Sequence, residues 1–113
     1  MSKTKPNLLN KSSRPIKSGT PPLGAPEIAE MMRELPGWTN DGGKAIRKEY
    51  KFKDFHETMA FVNKVADVAN SQDHHPDMEV GYNRCVVKYS THSVGGLSEN
   101  DFICAAKVES NSR

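Results

Sequence analysis

The stretch IRKEYKFKDFHETMAFVNKVADVA, residues 46–69, changes its hydrophobic period half-way along. Ile46, Lys48, Tyr50 and Phe52 share one side of an alternating run. Ala45, Arg47, Glu49 and Lys51 take the other, the pattern of a half-buried strand. From Asp54 the spacing becomes helical: Phe55, Met59, Val62, Val65, Ala66 and Ala69 mark one face of a helix. Asp54 serves as cap, and Glu57, three residues on, completes a capping box. His56 and the polar positions over 57–64 fall on the solvated side. A strand that feeds directly into a long helix is the pivot of the fold.

Hairpins lie on either side of this pivot. Upstream, Pro26 suits the first residue of a helix, and Ile28, Met31, Met32 and Leu35 follow at helical spacing until Pro36-Gly37 stops the run. Trp38-Thr39 then leads into Asn40-Asp41-Gly42-Gly43, a hairpin turn signal that pairs a short strand with the 46–52 run. Downstream, Pro76 pushes His75 into an extended conformation, and Met78, Val80 and Tyr82 alternate. Asn83-Arg84 reads as a turn, and Cys85 to His92 as the returning strand. After the loop at Val94-Gly95-Gly96, Ser98 caps a last helix with Asp101 at its third position and Leu97 stapled against Phe102. Cys104, Ala105 and Val108 continue that helix. Helix, two strands, helix, two strands, helix describes an α+β domain, an antiparallel sheet with helices on one face.

Of the 113 residues, 16 are basic and 14 acidic, and their distribution is uneven. Residues 1–25 hold Lys3, Lys5, Lys11, Arg14 and Lys17 with no acid, a net charge of +5, among several Pro, Ser and Thr residues. Such a segment buries too little apolar surface to offset its ordering entropy, so it reads as a flexible tail, disordered or draped over the surface. Its basic, acid-free character also fits a processed targeting segment, against which its poor amphipathic pattern counts. Residues 26–113 form the folding domain, small enough that self-association would help bury its core. No apolar run reaches the roughly 18 residues of a membrane span, and no signal-peptide h-region is present. Cys85 and Cys104 form no C-x-x-C pair, which points to a reducing, cytoplasmic setting with both thiols as small buried hydrophobes.

Three of the four histidines cluster in the sequence around the second hairpin: His74 and His75 before it and His92 at its far end. If the hairpin closes, these ends meet, and neutral imidazoles both give and take protons near neutral pH. Local hydrogen bonding by loop histidines is the plainer alternative. A zinc site fits poorly, because His74 and His75 point to opposite sides of an extended chain and no cysteine has ligand spacing. Gly95-Gly96 is too short for a phosphate loop. Outside residues 1–25 the chain is acidic, which argues against nucleic-acid binding.

His74-His75-Pro76, Tyr82, His92 and Asp101, at those intervals, resemble the signature of the pterin-4a-carbinolamine dehydratase family. Ser90-Thr91-His92, Gly96-Leu97-Ser98-Glu99 and Leu35-Pro36-Gly37-Trp38 strengthen the likeness, which covers roughly residues 26–109. The resemblance implies a four-stranded antiparallel sheet with three helices on one side, and dimers or tetramers. It implies dehydration of a 4a-hydroxytetrahydropterin without a metal or other cofactor. By position, His74 and His92 would be the acid–base pair. His75 would position the pterin, Ser90, Thr91 and His92 would hold its ring edge through their backbone, and Pro76, Tyr82 and Asp101 would support.

Two positions depart from the family pattern. Asn70 stands where an ionisable side chain is usual, four residues before the first histidine, and Met78 where a tryptophan often lies against the pterin. Asn holds no charge and Met offers no flat stacking face. With the basic tail, these departures resemble the dehydratase-like branch encoded with α-carboxysomes. For that branch the expected role is assembly of ribulose bisphosphate carboxylase, a carboxysome-associated partner, with weak or absent catalysis. An active dehydratase in tetrahydropterin recycling is the alternative.

Overall fold

The computed structural model describes residues 8–17 and 19–112. Its helices are α1 (Ala25–Met32), α2 (Phe55–Gln72) and α3 (Glu99–Asn111), and its strands β1 (Thr39–Asp41), β2 (Ala45–Lys51), β3 (Asp77–Val80) and β4 (Arg84–Tyr89). The strands pair antiparallel in the order β1-β2-β4-β3, so the two hairpins join through their longer strands. The three-helix, four-stranded α+β architecture is the one the sequence predicts. Ile46 and Tyr50 from β2 and Cys85, Val87 and Tyr89 from β4 face Phe61, Val65 and Val68 of α2 and Phe102, Ile103 and Cys104 of α3 in a single core. Both cysteines are free and buried, and burial pushes the Cys104 thiol up to about 12.

Several local readings shift. Helix α1 ends at Met32 rather than running on to Leu35, since Pro36 disfavours a helical conformation at the residue before it. Leu35 is nonetheless buried, in the turn that follows. On α2 the buried face is Thr58, Phe61, Val65, Val68 and Ala69, rotated from the predicted one, and Phe55 is 49% exposed. Thr58 enters the core because its hydroxyl is satisfied by the carbonyl of Asp54 at 2.9 Å, with the Tyr82 carbonyl equally near. The second hairpin turns at Tyr82-Asn83 instead of Asn83-Arg84, because Val80 pairs with Cys85 and the Gly81 N–H bonds the Arg84 carbonyl at 2.8 Å. Strand β4 stops at Tyr89, and His92 opens a 3-10 turn, His92–Val94. At the first hairpin, Gly42 and Gly43 both take positive φ, 64° and 75°, which is why the turn needs glycine there.

The core also reaches beyond residues 26–113. Leu8 is fully buried in it, and Leu23 packs against it. The described part of the basic segment follows the surface of α2 and α3. Lys3 and Lys5, two of its cations, lie outside the described residues.

Away from the histidines, one carboxylate ties the end of α3 to the sheet. Glu109 Oε1 accepts from Tyr50 Oη at 2.6 Å, Lys48 Nζ at 2.9 Å and Trp38 Nε1 at 3.2 Å. Burial alone would raise the Glu109 carboxyl, but the bonds from Lys48, Tyr50 and Trp38 outweigh it and hold the group below its ordinary value. A lowered folded-state value means stability that is present above the unfolded pKa and lost as pH falls through the folded one. Thermal melts of Glu109→Gln should therefore lie below the unmodified protein at pH 7, and the gap should close on acidification below about pH 4.5. A gap that stayed constant down to pH 3 would show that the charge of Glu109 contributes nothing.

Candidate functional site

Register places the histidines. Asp77 pairs with Lys88 at the open end of the second hairpin, so His74-His75-Pro76 enters β3 where Tyr89-Ser90-Thr91 leaves β4. Before that point α2 closes with Asp73 in the left-handed region (φ 51°, ψ 43°), and the His74 N–H bonds back to the Ala69 carbonyl at 3.2 Å. This reversal turns the His74 side chain under the end of β4. Its ring stacks on Tyr89, with centroids 5.8 Å apart and planes 11° from parallel. Beyond β4 the chain is pinched by a bridge between Thr91 and Gly96, then enters α3 through Ser98.

That path brings Asp101, 0% exposed, against His74, whose side chain is 13% exposed. Asp101 Oδ1 lies 2.6 Å from His74 Nε2. Its other oxygen accepts from the Thr91 hydroxyl at 2.8 Å and the Ser98 N–H at 2.9 Å. Since Thr91 has one proton and directs it at the carboxylate, the 2.6 Å contact between Thr91 and Ser98 is donated by Ser98. The predicted capping box is present, with Asp101 reaching back to the Ser98 N–H, and the Ser98 hydroxyl also ties it to Thr91. An ionised carboxylate can only accept, so the proton in its bond to His74 belongs to Nε2, and Nδ1 is left for exchange.

The other predicted site residues divide. His75 and His92 are exposed and leave the same end of the hairpin as His74. Ser90 and Pro76 are partly buried. Thr91 is buried with its N–H on the Gly96 carbonyl at 2.8 Å and its hydroxyl on Asp101, so its polar groups serve the scaffold more than a ligand edge. Tyr82 sits 64% exposed in the hairpin turn, at the opposite end of β3 and β4 from the histidines. Asn70 is exposed near the end of α2. Met78, opposite Val87, packs against the core. Sequence reasoning missed Tyr89, although its alternation with Cys85 and Val87 marks it as inward-facing. It missed Thr91 and Ser98 as partners of Asp101 as well.

A shallow cleft of about 330 Å³ opens on the helix-free face of the sheet, lined by Arg47, Asp77, Glu79 and Lys88 among others. It includes none of the three histidines, so cavity volume is a poorer guide here than the hydrogen-bonded pair. Among the described residues no three His, Cys, Asp or Glu side chains converge to hold a metal ion, and no helix is long and apolar enough to cross a membrane.

Comparison with known proteins agrees with this fold. Residues 21–111 match the family Pterin 4 alpha carbinolamine dehydratase. A Nitrosospira multiformis protein named "Putative pterin-4-alpha-carbinolamine dehydratase" is 54% identical over 109 residues, 96% of each chain. A Chromobacterium violaceum protein of the same name is 52% identical, over 91% of this chain and 94% of its own. The crystal structure of a transcriptional coactivator/pterin dehydratase from Brucella melitensis superposes with a TM-score of 0.76 at 38% identity, covering 80% of this chain and 98% of that one. A pterin dehydratase-like protein identified as a RuBisCO assembly factor in the alpha-carboxysome superposes at 0.59 and 18% identity, over 70% of this chain and 93% of its own. At that identity the likeness reaches the fold alone. With its profile matched from residue 21 to residue 111 and half its residues shared with these relatives, the chain belongs to the pterin 4 alpha carbinolamine dehydratase family.

Proposed function

We infer that the protein dehydrates a 4a-hydroxytetrahydropterin, and the observation that carries this reading is the His74–Asp101 pair. In the reaction the C4a–O bond breaks, a general acid protonates the departing hydroxide to water, and a general base removes the N5 proton as the C4a–N5 double bond forms. His74 and His92 are the acid–base pair of this proposal, and His75 positions the pterin. All three leave one end of a rigid hairpin, and His74 is already oriented by a buried carboxylate and an aromatic platform.

The alternative role, assembly of ribulose bisphosphate carboxylase, draws on Asn70, Met78 and the basic N-terminal segment. Asn70 is its chemical ground, since loss of a carboxylate there would leave a protonated histidine uncompensated. Asp101, which belongs to the family pattern in its own right, sets one carboxylate from α3 2.6 Å from His74. A protonated His74 is therefore not left without a carboxylate, which supports the dehydratase reading, and the likeness to the assembly factor concerns the fold. Self-association, which the family resemblance implies, would use an open edge of the sheet, β1 or β3.

The test is the rate at which purified protein converts 4a-hydroxytetrahydropterin to quinonoid dihydropterin, above the spontaneous reaction. Turnover should be clear in the unmodified protein, and Asn70→Glu should change it less than about threefold, because the charge is already present. Background-level turnover that Asn70→Glu raised by about tenfold or more would restore the inactive reading, and with it the assembly role.

A further inference from the structure

The chain ahead of the family match carries a cross-brace. Residues 11–14 run over the junction where α2 ends and α3 begins. The Ser13 hydroxyl donates to the Gln72 carbonyl, a helix-end group with no partner inside α2, and the Ser13 N–H donates to Gln72 Oε1 at 2.8 Å. At the next residue, the Arg14 N–H donates to Asn100 Oδ1 at 3.1 Å, and Asn100 Nδ2 donates to the Arg14 carbonyl at 2.7 Å. Lys11 adds an ion pair to Glu99. Gln72 stands two residues before His74, and Asn100 immediately before Asp101. One dipeptide thus grips both element ends that present the pair.

We propose that Ser13 and Arg14 are positioning residues for His74 and Asp101, holding the end of α2 at a fixed separation from the start of α3. The proposal rests on the dehydratase reading for its kinetic consequence and on geometry alone for its structural one. A 2.6 Å contact between groups on two different helix ends is sensitive to their relative position, and a displacement of an ångström can remove most of its benefit. The Asn100 carboxamide is largely buried and spends both its polar atoms on the Arg14 backbone, with no other hydrogen bond from that side chain among the described residues. Its chemistry is that of a clasp. The family match begins at residue 21, so this brace lies ahead of the matched region.

The experiment uses the full chain, labelled with ¹⁵N, and three variants: Asn100→Ala, Ser13→Ala, and Lys107→Ala as control. Lys107 holds the same segment through the Leu9 carbonyl at 3.0 Å, farther along α3. Asn100→Ala is expected to lower kcat about tenfold with KM changed less than about twofold, and Ser13→Ala to act in the same direction by about threefold. Both should shift or broaden the ring ¹⁵N signals of His74 while leaving those of His56, on the exposed side of α2, in place. Lys107→Ala should leave kcat and the His74 signals unchanged. Variants that melt earlier yet keep kcat and the His74 ring signals of the parent would overturn the proposal, as would an equal loss in Lys107→Ala. Should Asn100→Ala fail to fold, Ser13→Ala decides by the same readouts. If the parent itself lacked turnover, the dehydratase reading would fall, and the His74 ring signals would still decide the brace.

Discussion

His74→Ala is expected to slow dehydration by about 10²- to 10⁴-fold, the range over which a positioned proton donor or acceptor contributes. The size follows from its surroundings. A single rotamer of His74 satisfies the stack on Tyr89 and the bond to Asp101 together, so the ring needs little reorganisation when the proton moves. No other histidine is placed to substitute, since His75 and His92 are exposed and His56 lies on the outer side of α2. The fold should survive at a cost of about 1–3 kcal/mol, because one oxygen of Asp101 loses its partner in a buried setting. Steady-state kinetics with a melting curve separate the two effects. Residual turnover within about fivefold of the parent, in a well-folded variant, would assign the chemistry to His75 and His92 alone.

The same pair shows what the sequence could and could not convey. The element order was readable because each element carries a local signal: alternation in 46–52, a cap at Asp54, glycines at 42 and 43, Pro76 before a strand. The histidine cluster followed once the second hairpin was recognised, and the interval pattern gave the family. Partnership across elements was harder. Asp101 looked complete as the third residue of a capped helix, and nothing local says that its second oxygen faces a histidine 27 positions earlier. The absence of a charge at Asn70 weighs more in the sequence than in the fold, where a separate member of the family pattern, Asp101, already faces His74. The buried face of α2 departs from its apolar pattern for a related reason: Thr58 reads as polar, and only the carbonyl of Asp54 or of Tyr82 in the distant turn makes its burial inexpensive. Of the two courses that composition leaves open for residues 8–17, disordered or draped, the structure takes the draped one, because a single leucine and several backbone hydrogen bonds suffice to seat a segment whose average is polar. Short-range patterns determine elements, whereas long-range hydrogen bonds determine the site.

Asp101→Asn should separate orientation from stability, with a large effect on the first and a small one on the second. Asparagine has the shape of aspartate, but one of its two terminal atoms becomes a donor. If that NH₂ faced the Thr91 hydroxyl and Ser98 N–H, it would meet groups that now donate to Asp101 at 2.8 Å and 2.9 Å. The amide is therefore expected to keep its oxygen on that side and to turn its NH₂ towards His74. His74 Nε2 must then accept, and its proton moves to Nδ1, the nitrogen that the present arrangement leaves for exchange. A histidine locked in the wrong tautomer is a poor base, and the turnover loss should be on the order of 10³-fold or more. Folding stability should fall by about 1–2 kcal/mol, since the Thr91 and Ser98 donors retain their acceptor and only the second N–H of the new amide is left without one. Asp101→Ala is the contrast: three buried donors lose their partner at once, for a cost of about 3–5 kcal/mol. Ring ¹⁵N shifts of His74 report the exchange directly, with Nε2 passing from a protonated to an unprotonated value in the Asn variant. Near-parental turnover together with an unchanged tautomer in Asp101→Asn would make the carboxylate a helix cap and nothing more. A tautomer exchange accompanied by the kinetic loss would place Asp101 in the catalytic machinery, as the group that decides which nitrogen of His74 is available to the pterin.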